Sequence, residues 1–101
     1  MLTVPEDAVR REASCLRGFA WAVLHALPAP EVIARLQTRG WAGSCLGGVL
    51  WTFVRDHHKV VFVPSTGRLQ VRVDLATAFE HRRAVPEAVW LDLHSAPTRP
   101  S

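Results

Sequence analysis

Five histidines and two cysteines are the side chains with the widest chemical reach in this 101-residue chain. His57-His58 follow Asp56, and Asp92 stands one residue away from His94. Alternate residues of a strand share a face, so Asp92 and His94 can point at one ion, whereas the neighbours His57 and His58 can do so only in a turn. A zinc site asks for about four ligands in a tetrahedron. No Cys-x-x-Cys or His-Glu-x-x-His supplies them, so neither a metal nor a cofactor is expected. Cys15, Cys45, Ser44 and Ser65 are the candidate nucleophiles, with His81 or His94 as bases, but such a pair is defined by proximity rather than spacing. Cys15 borders an apolar stripe, where thiols are inert. Ser44 and Cys45 lack a strand–elbow–helix context. The nine carboxylates are scattered. The expectation leans away from an enzyme, and no catalytic residue is assigned.

Two further patterns suggest ligands. The glycine-rich residues 40–48 resemble an anion cradle, but they follow a predicted helix and lead into a strand, and no lysine is near. They read as a flexible connector. Arginines form the second pattern. Arg10, Arg11 and Arg17 fall on one face of a predicted helix, Arg68 and Arg72 on one face of a strand, and Arg82-Arg83 near a third helix end. With Trp41 or Trp90 as a base-stacking surface, these are the candidate nucleic-acid contacts. The helix–meander–helix order loosely resembles the double-stranded-RNA-binding domain, except that Leu75-Ala76-Thr77 stands where such domains have a basic helix start. No residue is carried across.

Composition tempers the arginine reading. Eleven arginines stand against one lysine, with no asparagine or tyrosine and a single isoleucine, which is the codon bias of a GC-rich bacterial genome. The formal charge of +3 is modest, and Glu6, Asp7, Glu12, Asp74 and Glu80 interrupt the basic clusters, as a solvated surface requires. Two cysteines are too few for a disulfide framework, and both read as small apolar residues of a reducing cytoplasm. The apolar run at residues 19–27 is too short to span a bilayer. The acids ahead of it argue against a signal peptide.

Positioning falls chiefly to residues 49–74, which read as a three-stranded antiparallel meander rich in Val, Phe, Trp and Leu. A turn at His57-His58 sets Phe53 opposite Phe62. The pair suits a type I′ turn poorly, so a longer connection is the alternative. A turn at Thr66-Gly67 sets Val71 opposite Phe62 and Val73 opposite Val60. Trp51, Phe53, Val60, Phe62, Leu69, Val71 and Val73 then share one face, the expected core. The other face carries Leu50, Thr52, Val54, Val61 and Val63, with Gln70, Arg72 and Asp74. In this register Asp56, Lys59 and Asp74 form a cross-strand charge ladder. Continuous apolar runs mark strands covered on both sides. A helix of the same chain, a second copy or another protein is therefore expected over this second face.

Apolar residues at 9, 13, 16, 20, 23 and 27 recur at helical intervals, so a long first helix is predicted, opened by Pro5 and closed at Pro28. It is the natural lid for the apolar face of the meander. A second helix over residues 30–38 ends at Gly40. A third over 75–83 has Asp74 as its cap, and residues 88–93 alternate as a fourth strand. The predicted fold class is α+β: two N-terminal helices, the meander, a third helix and a short C-terminal strand (α-α-β-β-β-α-β). Residues 1–94 form one domain and 95–101 a disordered tail.

The functional expectation is a small non-enzymatic interaction or regulatory module, binding another protein or a second copy of itself. Its contacts are Leu50, Val54, Val61, Val63, Gln70, Arg72 and Trp90, with Trp21 as a further aromatic anchor. The alternative is a nucleic-acid-binding protein using Arg10, Arg11, Arg17, Arg68 and Arg72.

Overall fold

The computed structural model describes residues 3–12, 18–74, 76–77 and 79–95. Six strands form one antiparallel sheet, and two helices lie on one of its faces. The strands are β1 (Val9–Arg11), β2 (Gly18–Val23), β3 (Ala42–Leu46), β4 (Leu50–Arg55), β5 (His58–Val63) and β6 (Arg68–Asp74). The helices are α1 (Ala29–Thr38) and α2 (Ala84–His94). Their order across the sheet is β1-β2-β6-β5-β4-β3.

This β-rich α+β architecture corrects the predicted element order. In place of the long first helix stand, among the described residues, a 3-10 turn, Glu6–Ala8, and strands β1 and β2. The same residues carry two periods at once. Val9, Ala20 and Val23 fit a helical stripe, while Trp21 and Val23 fit a strand alternation. The strand reading prevails because β2 pairs with β6, setting Trp21 opposite Val71. Aromatic and β-branched side chains favour that pleated surface, and Gly18 disfavours a helix interior. With the long helix goes the order that resembled an RNA-binding domain.

The predicted C-terminal strand is helix α2. Its buried residues are Pro86, Val89, Trp90 and Leu93, a helical spacing of three, one and three. Pro86 does not break the helix because it sits in the first turn, where its missing N–H has no intrahelical partner to lose. The predicted third helix is reduced to a 3-10 turn, Phe79–His81, among the described residues, with Leu75 and Ala78 outside them. Asp74 does cap, but locally: its Oδ1 accepts the Ala76 N–H at 2.8 Å, closing an Asx turn. The predicted glycine connector contains β3, which joins β4 through residues 47–49. The expected helix over residues 30–38 is α1, with Pro30 in its first turn and Gly40 at φ +90° beyond its end.

The meander is β4-β5-β6, and its registers differ from expectation by two residues. The first turn is Asp56-His57, with Asp56 at φ +58°. Trp51 therefore faces Phe62, and Phe53 faces Val60. The second connection has four residues: Pro64 sits second in a turn closed by Thr66 N–H to Val63 O at 3.3 Å, and Gly67 takes φ +75°. Val71 then faces Val60, and Phe62 faces Leu69. Because strand side chains alternate, a two-residue shift leaves every side chain on its face. Phe53, Val60, Phe62, Leu69, Val71 and Val73 are all buried as one face. They pack with Val32 and Leu36 of α1 and with Val89, Trp90 and Leu93 of α2. Both helices therefore lie on the core face. No helix among the described residues lies on the other.

Candidate protein-binding face

The open face is built by alternation. Leu50, Thr52 and Val54 leave β4 on the side away from Phe53, as Val61 and Val63 leave β5 and Gln70 and Arg72 leave β6. Following the registers sideways gives rows that cross the sheet. One runs Arg10, Ala22, Gln70, Val61, Thr52, Ser44. The next runs Ala20, Arg72, Lys59, Val54, Ala42.

These rows divide the face into two halves. Over β3, β4 and the end of β5 it is uncharged: Leu46, Leu50, Val54, Val61 and Val63 surround the hydroxyls of Ser44 and Thr52, which lie 3.4 Å apart. Leu46, at the end of the edge strand, is 54% exposed, and Val54, one strand further in, is 47% exposed. Over β5, β6 and β1 it is charged. Glu12 receives Arg68 at 2.9 Å and Gln70 at 2.8 Å, which neutralises one cation. Lys59 lies directly opposite Arg72. No carboxylate among the described residues pairs with Lys59, Arg72 or Arg10; Arg72 donates only to the Gln70 side-chain oxygen at 3.1 Å. The expected ladder of Asp56, Lys59 and Asp74 does not form. The two-residue register shift moves Arg72 to the level where Asp74 was expected, so an anticipated attraction becomes a like-charge pair.

Six of the seven expected contact residues thus share the open face: Leu50, Val54, Val61, Val63, Gln70 and Arg72. Trp90 does not. It is 7% exposed, belongs to the core under α2 and stacks on His94 at 4.2 Å. Trp21 is likewise interior, with the Arg83 guanidinium 5.7 Å from its ring. Both were misassigned because their elements were given the wrong period. Leu46, Ala42 and Ser44 were missed, hidden in the glycine-rich stretch. Gly47-Gly48 carried the signal, since a Gly-Gly pair is a hairpin turn by composition.

The arginines scatter. Arg10 and Arg72 lie on the open face, with Arg68 bound to Glu12. Arg11 pairs with Trp21 in the ladder and so belongs to the helix side. Arg17 lies outside the described residues. Trp41, 2% exposed, is no stacking surface. Its indole N–H donates to Asp92 Oδ2 at 3.3 Å while the Arg55 guanidinium lies 4.5 Å from its ring centre.

Elsewhere among the described residues, the buried Trp21 Nε1 and His58 Nδ1 have no hydrogen-bond partner. Arg55 donates to Asp92 at 3.2 Å and to Arg39 O at 2.9 Å, tying together the end of β4, the end of α1 and α2. In the cleft of about 280 Å³ beside this clamp, Arg35 binds Glu31 at 2.9 Å and Leu93 O at 2.6 Å. In a second cleft, of about 570 Å³, His25 uses both ring nitrogens, Nε2 with Gly67 O at 2.7 Å and Nδ1 accepting the Leu27 N–H at 3.3 Å. Asp92 lies on a helix two residues from His94, which turns their side chains apart, and His94 Nδ1 contacts Trp90 O. Among the described residues no three His, Cys, Asp or Glu side chains gather as metal ligands. Cys45 is a free, exposed thiol, and Cys15 lies outside the described residues. No helix among the described residues is long and apolar enough to cross a membrane. In comparisons with known proteins, the chain matches no family model, no curated protein and no solved structure.

Proposed function

We propose that this chain is a protein-binding module whose contact surface is the open sheet face, and that its partner presents an apolar centre with an acidic rim. The observation that carries this reading is the opposition of Lys59 and Arg72 beside exposed Leu46 and Val54 and half-buried Leu50, Val61 and Val63. Like charges directly across a ladder are destabilising. A carboxylate supplied from outside would relieve that repulsion while the adjoining apolar half buried its surface. Large exposed apolar patches rimmed by polar groups are the usual mark of such contacts. The same cations disfavour face-to-face stacking of two copies, which would bring four like charges together.

The test compares the wild type with Val61→Asp and with the Lys59→Glu/Arg72→Glu double variant. All three are expected to fold. A protein retained by the wild type should be lost with either variant, and its retention should weaken as salt rises. A ligand held equally by all three would overturn the assignment.

A second reading, nucleic-acid binding, rests on Arg10, Lys59 and Arg72 sharing the face. Charge-driven binding of this kind falls steeply with salt. Absence of binding to a DNA or RNA oligonucleotide at low salt removes it. The face carries no aromatic ring among the described residues on which a base would stack, so the protein reading is preferred.

A further inference from the structure

We infer that β3 is a self-pairing edge: two copies of this chain join β3 to β3 antiparallel, about a two-fold axis through Ser44, and extend the sheet across the contact. This goes beyond the face described above, because the contact is made by the backbone of the edge strand.

A six-stranded open sheet has two edges, and the two here are treated differently. β1 is three residues long, and two of the three are arginines. Shortness and charge are ordinary protections against strand addition. β3 has neither. Its five residues, Ala42-Gly43-Ser44-Cys45-Leu46, are all exposed and include no charge and no proline. Among the described residues it pairs with β4 alone, which leaves its outer backbone groups without a strand partner there.

The strand is complementary to itself. An antiparallel pairing centred on Ser44 sets Leu46 opposite Ala42 of the second copy and Cys45 opposite Gly43, so a larger side chain meets a smaller one at each level. Charge also favours a second copy. The β4 residues facing β3 are Leu50, Trp51, Thr52, Phe53 and Val54, so the paired stretch of two strands on each side of the axis is free of charge. A chain of formal charge +3 therefore meets its copy along its least repulsive edge. On the open side, Leu46 and Leu50 of one copy continue into Ala42 and Val54 of the other, giving two apolar rows on either side of a central Ser44–Thr52 row, with a Lys59–Arg72 pair beyond the Val54 end of each. A five-residue pairing is a small interface, so association is expected only as concentration rises.

Light scattering over a concentration series tests this. The wild-type mass should climb from 11.2 kDa toward twice that value. Ser44→Lys places two cations on the axis and should hold the mass at 11.2 kDa, while Val61→Asp, on the face, should dimerise like the wild type. Hydrogen exchange gives a readout independent of any variant: amides of Ala42–Leu46 should slow with concentration in the wild type. A wild type that stays at 11.2 kDa, with unchanged exchange in β3, overturns the edge and leaves the face untouched. A dimer that survives Ser44→Lys but is lost in Val61→Asp overturns it too, and assigns self-association to the face instead.

Discussion

Lys59 of β5 and Arg72 of β6 are directly opposite residues of one ladder, both on the face that the helices leave open. Two cations at this separation repel, and the nearest acid on β6, Asp74, lies one level away and bonds to the Ala76 N–H. Such a local conflict is what the proposed partner would relieve. Lys59→Glu should replace the repulsion by an attraction and stabilise the isolated protein by about 0.5 kcal/mol, within the range for cross-strand charge pairs. Urea unfolding of the two proteins at low and high salt checks this, and the difference should shrink at high salt. A destabilised variant would show that Lys59 is already satisfied.

Val61 and Phe62 are neighbours on opposite faces, so their substitutions should separate sharply. Val61→Asp is expected to change stability by no more than about 1 kcal/mol, as surface positions do. Phe62→Ala empties a fully buried site and should cost about 3–5 kcal/mol. Denaturant midpoints compare them, and a Val61→Asp chain that unfolds would mean that its face is interior.

Gly43 has no side chain because Phe53 occupies the space. A Cβ built there would stand 2.7 Å from the Phe53 ring. Phe53 is fully buried and stacked on Trp51 at 5.6 Å, so it has little room to retreat. Gly43→Ala should therefore destabilise by about 1–3 kcal/mol through overpacking, although alanine is elsewhere the better residue in ordered structure. Tryptophan fluorescence during urea unfolding gives the midpoint.

Asp92 joins two elements through one oxygen, accepting from Trp41 Nε1 and Arg55 Nη1. Asp92→Ala should cost about 1–3 kcal/mol, the range for losing a carboxylate that satisfies partly buried donors. Asp92→Asn should recover part of this, since its carbonyl oxygen still accepts. Full recovery would mean that charge contributes little to the clamp.

Legibility in the sequence followed how local each signal was. α1 was readable because Pro30, the Val32–Leu36 spacing and Gly40 all lie within a dozen residues. The face partition of the meander was readable because alternation survives any even error in register. Turn length was not, since Asp56 at positive φ and the four-residue loop at Pro64 had simpler alternatives nearby. The first half of the chain was misread because Val9, Ala20 and Val23 satisfy a helical period while Trp21 and Val23 satisfy a strand. Pro86 and the alternation of residues 88–93 hid α2 in the opposite sense.

The order of residues alone determined that Phe53, Val60, Phe62, Leu69, Val71 and Val73 would be buried together and that Val54, Val61 and Arg72 would face away from them. That follows from the two-residue repeat of a pleated strand, which needs no knowledge of distant partners. Tertiary structure decided what became of residues 9–11, 18–23 and 84–94, because pairing with β6 and packing beneath the sheet are long-range contacts that choose between two locally acceptable periods. It also decided that both helices share one side. The face on which no helix lies among the described residues, and the lysine and arginine set against each other on it, are products of that choice.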